Sequence, residues 1–166
     1  ANPLNKVFFD LEWNTGFLDG NSFDEIIEIG AVKTDEEYRQ IDGFRRLTRP
    51  VIYRKMNPYI QKILAITMKD LQGEEPLAAV AKVFFDWCGD CDTLIAWSGN
   101  DFGVLEKNLA HIGMKIPEQL GRYDVQMAYA YRTENSIRNY ALKTAVEAME
   151  LPEPEGQEYH DAYCDA

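Results

Sequence analysis

The sequence predicts an α/β domain built on a mixed sheet, and three observations carry that expectation. Three β-favouring runs follow one another near residues 4–13, 24–34 and 38–48 with short connections, the pattern of an antiparallel meander. Apolar residues then recur at helical spacing over 58–65, 76–88 and 101–112,. Short β-favouring runs at 93–98 and around 122–125 separate or follow those helices, so strands and helices alternate in the second half.

The first run, Lys6-Val7-Phe8-Phe9-Asp10-Leu11-Glu12-Trp13, is apolar until it acquires two acids two residues apart. Residues i and i+2 of a strand share a face, so Asp10 and Glu12 stand side by side. Carboxylates that close repel unless a proton or a cation lies between them. A divalent metal accounts for the pair; for an isolated D-x-E, an exposed strand end with two solvated acids is the commoner explanation. Alternation places Leu11 on the opposite face.

In the second half, Leu77, Val80, Ala81, Phe84 and Phe85 form the stripe of the 76–88 helix. The run Thr93-Leu94-Ile95-Ala96-Trp97-Ser98-Gly99-Asn100 ends in turn residues, and Asp101 opens a helix carrying Val104, Leu105, Leu109 and Ile112,. Asp101 is thus either an N-cap or first-turn acid or part of a site at the same sheet end. Helices are expected at 126–132, 136–149 and 158–166, the last preceded by the loop Pro152-Glu153-Pro154-Glu155-Gly156,. His160 and Asp165 lie roughly 140° apart on an ideal helix. They serve one site only if His160 sits at the helix start or in the preceding loop. Asp161, four residues before Asp165, lies nearer its face, and helix geometry leaves it open as a ligand.

Asp10-x-Glu12, then Asp101 in Asn100-Asp101-Phe102, then His160-x-Ala162-x-x-Asp165, in that order, resemble the three motifs of the DEDDh 3′-to-5′ exonucleases. That family includes polymerase proofreading subunits, oligoribonucleases, RNase T and histone-mRNA exonucleases. The resemblance extends to Glu25-Ile26-Ile27-Glu28-Ile29-Gly30-Ala31-Val32 and to Ile66-Thr67 with Leu71, and so covers nearly the whole chain. It implies a ribonuclease H-like, five-stranded mixed sheet flanked by helices, in which the first strand delivers Asp10 and Glu12 from its end. It further implies that Asp10, Glu12, Asp101 and Asp165 hold two divalent ions, Mg²⁺ or Mn²⁺, that His160 is the general base, and that Asp161 falls at a variable position. Leu11 and Ile66 occupy positions that border the terminal nucleotide in the family, and Trp13 and Phe102 flank the acids; core packing is the plainer role for all four. Two departures stand out. Trp13 replaces the small residue or Thr usual after the Glu, and the chain ends at Ala166, one residue past Asp165. A shortened terminal helix is therefore expected within a single exonuclease domain over 1–166.

Composition fits one globular domain with a substantial core. No apolar stretch approaches the ~20 residues of a membrane span, and the start lacks a signal pattern, so a cytoplasmic protein is expected. The 28 acids against 17 bases give a net charge of −11, which argues against tracking along duplexes. Single-stranded 3′ ends or short oligonucleotides are the expected partners, with a polymerase or regulatory protein also compatible. Arg39, Arg45, Arg46, Arg49, Arg54 and Lys55 form the only concentrated basic region, which reads most simply as a solvated strand and loop.

Two other functions compete. A scaffold or partner subunit would keep the fold without the reaction, although all five site residues are present. Trp87-Cys88-Gly89-Asp90-Cys91 superficially resembles a thiol-disulfide site, but it follows a helix rather than opening one, where the dipole raises a thiol pKa. Zinc would need about four ligands, and only Cys164 and two histidines remain,.

Overall fold

Val7, Phe9 and Leu11 alternate with Phe8, Asp10 and Glu12, and this period-two pattern makes β1 (Lys6–Leu18) a strand with two distinct faces,. The structure, a computed structural model, describes residues 5–96 and 99–124. β2 (Asn21–Thr34) pairs antiparallel with β1 from Lys6↔Thr34 to Leu18↔Asn21. β3 (Gln40–Leu47) pairs antiparallel with β2. On the other edge of β1 lies β4 (Thr93–Ala96), parallel to it, and β5 (Gly121–Asp124) is parallel to β4. The order β3-β2-β1-β4-β5 is the mixed sheet the sequence predicts.

The first two strands are longer than expected. The first strand is expected to end near Trp13, whereas it continues to Leu18 and turns through Asp19 (φ 52°) and Gly20 (φ 81°). Two central residues with positive φ form the tight hairpin turn that Asp-Gly favours. Asp10 and Glu12 therefore lie mid-strand, not at the strand's end. The parallel pairing with β4 does stop beside them, at Phe9↔Ala96.

The β1–β2 register shifts between Glu12↔Glu28 and Trp13↔Ile26, leaving Ile27 as the extra residue on β2,. Across the bulge Ile26, rather than Ile27, shares the face of Ile29, and Ile27 enters the other core,. Ile26 joins Phe9, Leu11, Phe84, Leu105 and Leu109 under α3 (Leu77–Cys88) and α4 (Gly99–His111). Ile27 packs with Met56 and Leu71 beneath α1 (Pro58–Leu64) and α2 (Met68–Leu71). Each such apolar side chain contributes roughly 1.5–3 kcal/mol by leaving water. α2 is not anticipated by periodicity because it is one turn long. It is set by a capping box in which Thr67 Oγ1 accepts from Asp70 N at 3.2 Å and Asp70 Oδ2 accepts from Thr67 N at 2.8 Å,.

Buried Asn108 fixes α4 to the bulged arm. Its Oδ1 accepts from Ile26 N at 3.1 Å, and its Nδ2 donates to Asp24 O at 2.7 Å and Val104 O at 2.8 Å. Helix α4 begins two residues earlier than expected, placing Asp101 within its first turn. The helices expected at 126–132, 136–149 and 158–166 lie outside the described residues.

Candidate active site

The carboxyl ends of the parallel strands β1, β4 and β5 point the same way, and in open α/β sheets that end is where ligands bind. Ala96 on β4 pairs with Phe9 on one side and Asp124 on the other, so Asp10 and Asp124 flank the end of β4. The chain passes from β4 into α4, whose Phe102 packs edge-on against Phe9 with ring centroids 5.2 Å apart. That contact holds the first turn of α4 over the strand end. Asp101 is thereby brought to Asp10.

Asp101 is 4% exposed. Burial is the main cause that pushes its pKa up to about 9; next come the charge of Asp10 and a hydrogen bond to it, then the charges of Glu12 and Asp124. Two carboxyl groups share a hydrogen bond only if one carries a proton, so Asp101 takes up the proton that relieves the repulsion. On β2, Glu28 stands directly opposite Glu12, another like-charged pair that costs stability,. Arg45 offsets it, with Nε 2.6 Å from Oε1 of the buried Glu28.

Sequence reasoning thus finds Asp10, Glu12 and Asp101, and the structure brings them together. His160 and Asp165 lie outside the described residues. Asp124 and the Glu28–Arg45 pair were not anticipated; the signal for Asp124 was an acid closing a short β-favouring run parallel to the first strand. Among the described residues, no three His, Cys, Asp or Glu side chains are placed so that they could hold a metal ion by themselves. The donor chemistry nonetheless suits a divalent ion that prefers oxygen, since clustered carboxylates otherwise need a proton to coexist.

The four residues named as nucleotide contacts divide into two pairs. Leu11 is 3% exposed and Phe102 is 9% exposed, both within the α3–α4 core. Their side chains pack the fold, and any contact from Leu11 would come from its backbone. Trp13 and Ile66 are half-buried against the two cores and keep some surface free. His111 is exposed, its ring 5.8 Å from Phe23, a packing role away from the acids.

Cys88 ends α3 and Cys91 follows it, both buried with free thiols. Burial pushes Cys88 up to about 12, and burial also raises Cys91. The expected direction holds, but desolvation rather than the helix dipole is the leading cause. A pair so poor in thiolate is unsuited to disulfide exchange.

Residues 7–166 match the RNase T family, described as Exonuclease. The PolC-type DNA polymerase III of Clostridium perfringens (strain 13 / Type A) is 34% identical over 112 residues, covering 66% of this chain and 7% of that protein. The chain therefore corresponds to a small part of that relative's length. The nuclease domain of 3′hExo, a DEDDh family member bound to rAMP, superposes with a TM-score of 0.76 at 18% identity, covering 99% of this chain and 88% of that one. Escherichia coli exonuclease I in complex with a dA16 oligonucleotide gives a TM-score of 0.67 at 18% identity, with 97% and 38% covered. At these identities the likeness establishes a shared ribonuclease H-like fold.

Proposed function

This chain belongs to the RNase T exonuclease family, and from that membership we propose that it releases nucleoside monophosphates from the 3′ ends of single-stranded RNA or DNA. In this reading Asp10, Glu12, Asp101 and Asp165 would hold two divalent ions, Mg²⁺ or Mn²⁺, with His160 as the general base. The observation that carries this reading is the buried Asp101 carboxyl hydrogen-bonded to Asp10, with Glu12 and Asp124 raising its pKa further. Four acids gathered where strand pairing stops are costly to the fold and suited to cations.

When bound, such ions would supply charge neutralisation on the phosphodiester and a more acidic attacking water. The chain's own contributions are separate. β1 and α4 hold Asp10, Glu12 and Asp101 in fixed relation through the Phe9–Phe102 contact and the Asn108 staple. His160 accepts the proton of the attacking water as the general base. The family match and the 34% identity to part of a polymerase also make association with a polymerase part of the proposal.

The test is hydrolysis of 5′-labelled single-stranded RNA and DNA with Mg²⁺, with Mn²⁺ and with chelator, beside Asp10→Ala and His160→Ala. Metal-dependent shortening from the 3′ end, lost in both variants, is expected. A folded protein that shortens neither substrate would instead be a scaffold or partner subunit.

A further inference from the structure

Among the described residues, Arg39 pairs with Asp35 and Glu37, Arg45 with Glu28, and Arg122 with Glu106. Arg46, Arg49 and Arg54 make no ion pair among the described residues, and neither do Lys55 and Lys62. All five are exposed. In a chain where 28 acids face 17 bases, five cations left without acids in one segment make a local positive patch.

The loop after β3 is held rigidly in place. Buried Glu25 accepts from the backbone N–H of Val51 and Ile52 at 2.8 Å each and of Tyr53 at 3.0 Å. Asn14, fully buried, donates from Nδ2 to Lys55 O at 3.1 Å and accepts from Asn57 N at 2.8 Å. Tyr53 donates to Phe23 O at 2.7 Å, and its ring lies over Gly16, where a Cβ would approach it to 2.6 Å. Asn57 then caps α1 by accepting from Tyr59 N at 2.9 Å, and Tyr59 is left 70% exposed.

The bulge falls on β2, so β1 keeps its alternation and Asp10, Glu12, Asn14 and Gly16 share one face,. The loop therefore sits on the same face as the acids, with Asn14 about 7 Å along the strand from Glu12. A preorganised ridge bearing free cations and an exposed aromatic ring, continuous with the acid face, has the chemistry of a single-strand path.

We propose that Arg54, Lys55 and Tyr59 bind the single-stranded nucleic acid that trails behind the 3′ end, the cations on phosphates and the ring on a base. The occupant is argued from charge complementarity: exposed cations without acid partners, beside an exposed aromatic ring, fit a polyanion that carries bases,. The proposal rests on the nuclease reading above, and it adds a length dependence that the acid site alone does not require.

The test compares wild type with an Arg54→Ala, Lys55→Ala, Tyr59→Ala triple variant on a dinucleotide and on a single strand of about ten nucleotides. An exposed Lys82→Ala, Lys107→Ala pair serves as the charge control. The triple variant is expected to raise KM for the longer strand at least tenfold and to flatten its salt dependence. KM for the dinucleotide, too short to reach the loop, should change less than twofold, and the control should behave as wild type. Equal effects on both substrates, or none on the longer one, would overturn the proposal. If wild type hydrolyses neither substrate, the nuclease reading fails separately. Fluorescence anisotropy of the labelled longer strand then decides the path: tight binding weakened in the triple variant supports it, and absent or unchanged binding overturns it.

Discussion

Two neighbouring regions along β1, each completed by other elements, gather polar groups in opposite ways. At Asn14, Glu25 and Thr48, every buried polar side chain meets a backbone partner; Thr48 Oγ1, for example, donates to Ile26 O at 2.7 Å. A few residues earlier, Asp10, Glu12 and Asp101 bring like charges together, and Asp101 answers by holding a proton. The first arrangement adds stability and rigidity. The second lowers stability in the protein alone, which is the mark of a site shaped for something it must bind. Polar burial by itself therefore says little about function; whether the buried groups satisfy or oppose one another separates a clamp from a site.

Breaking the opposing region should affect turnover far more than folding. Asp10→Ala or Glu12→Ala is expected to lower kcat at least 1000-fold, about 4 kcal/mol of transition-state stabilisation. The far-ultraviolet spectrum and melting temperature should stay near wild type or rise, because one of several repelling charges is gone. A variant that loses activity and melts much lower would place these acids in the satisfied class instead.

The converse holds for the clamp. Glu25→Ala leaves the N–H groups of Val51, Ile52 and Tyr53 without their acceptor. Hydrogen bonds to charged groups are worth about 1.5–3 kcal/mol, so a loss of about 3 kcal/mol in urea unfolding is expected. Activity on a dinucleotide should fall less than on longer strands, since the acids keep their places while the loop does not. Gly16→Ala tests the same contact more gently. A Cβ 2.6 Å from the Tyr53 ring must displace it, at a cost of about 1–3 kcal/mol.

These two regions were unequally legible in the sequence. The acids at 10, 12 and 101 stand out because charged residues interrupt apolar runs, and their order resembles a known set. The clamp stayed hidden because Asn14, Glu25 and Thr48 look like ordinary polar residues until the chain folds the loop back over β1. The hairpin stayed hidden as well: the first strand is expected to end near Trp13, although Asp19-Gly20 signals a tight turn directly,. Asp124 shows a third limit, since its place beside Asp101 depends on the pairing of β5 with β4 across three separate segments. The strand segments, helix α3 and helix α4 were readable because apolar spacing records them locally.

The mildest change, Asp101→Asn, distinguishes the regions by sign. An amide donates its N–H to Asp10 without needing a proton, whereas the carboxyl must stay protonated to do so. In the folded protein Asp101 titrates at about 9, above its ordinary 3.8. Between those values the native state binds a proton that the unfolded chain has released, so this group's contribution to stability falls as pH rises. Metal-free wild type should therefore lose stability relative to Asp101→Asn between pH 5 and pH 8, by about 1 kcal/mol or more, since one pKa unit corresponds to 1.36 kcal/mol. Thermal unfolding in chelator across that range measures the gap. Adding Mg²⁺ should close or reverse it, because the wild-type carboxylate gains a cation in place of its proton and the amide does not. If the gap stayed constant with pH and indifferent to Mg²⁺, Asp101 would be a satisfied helix-start acid, and the contrast between the two regions along β1 would disappear.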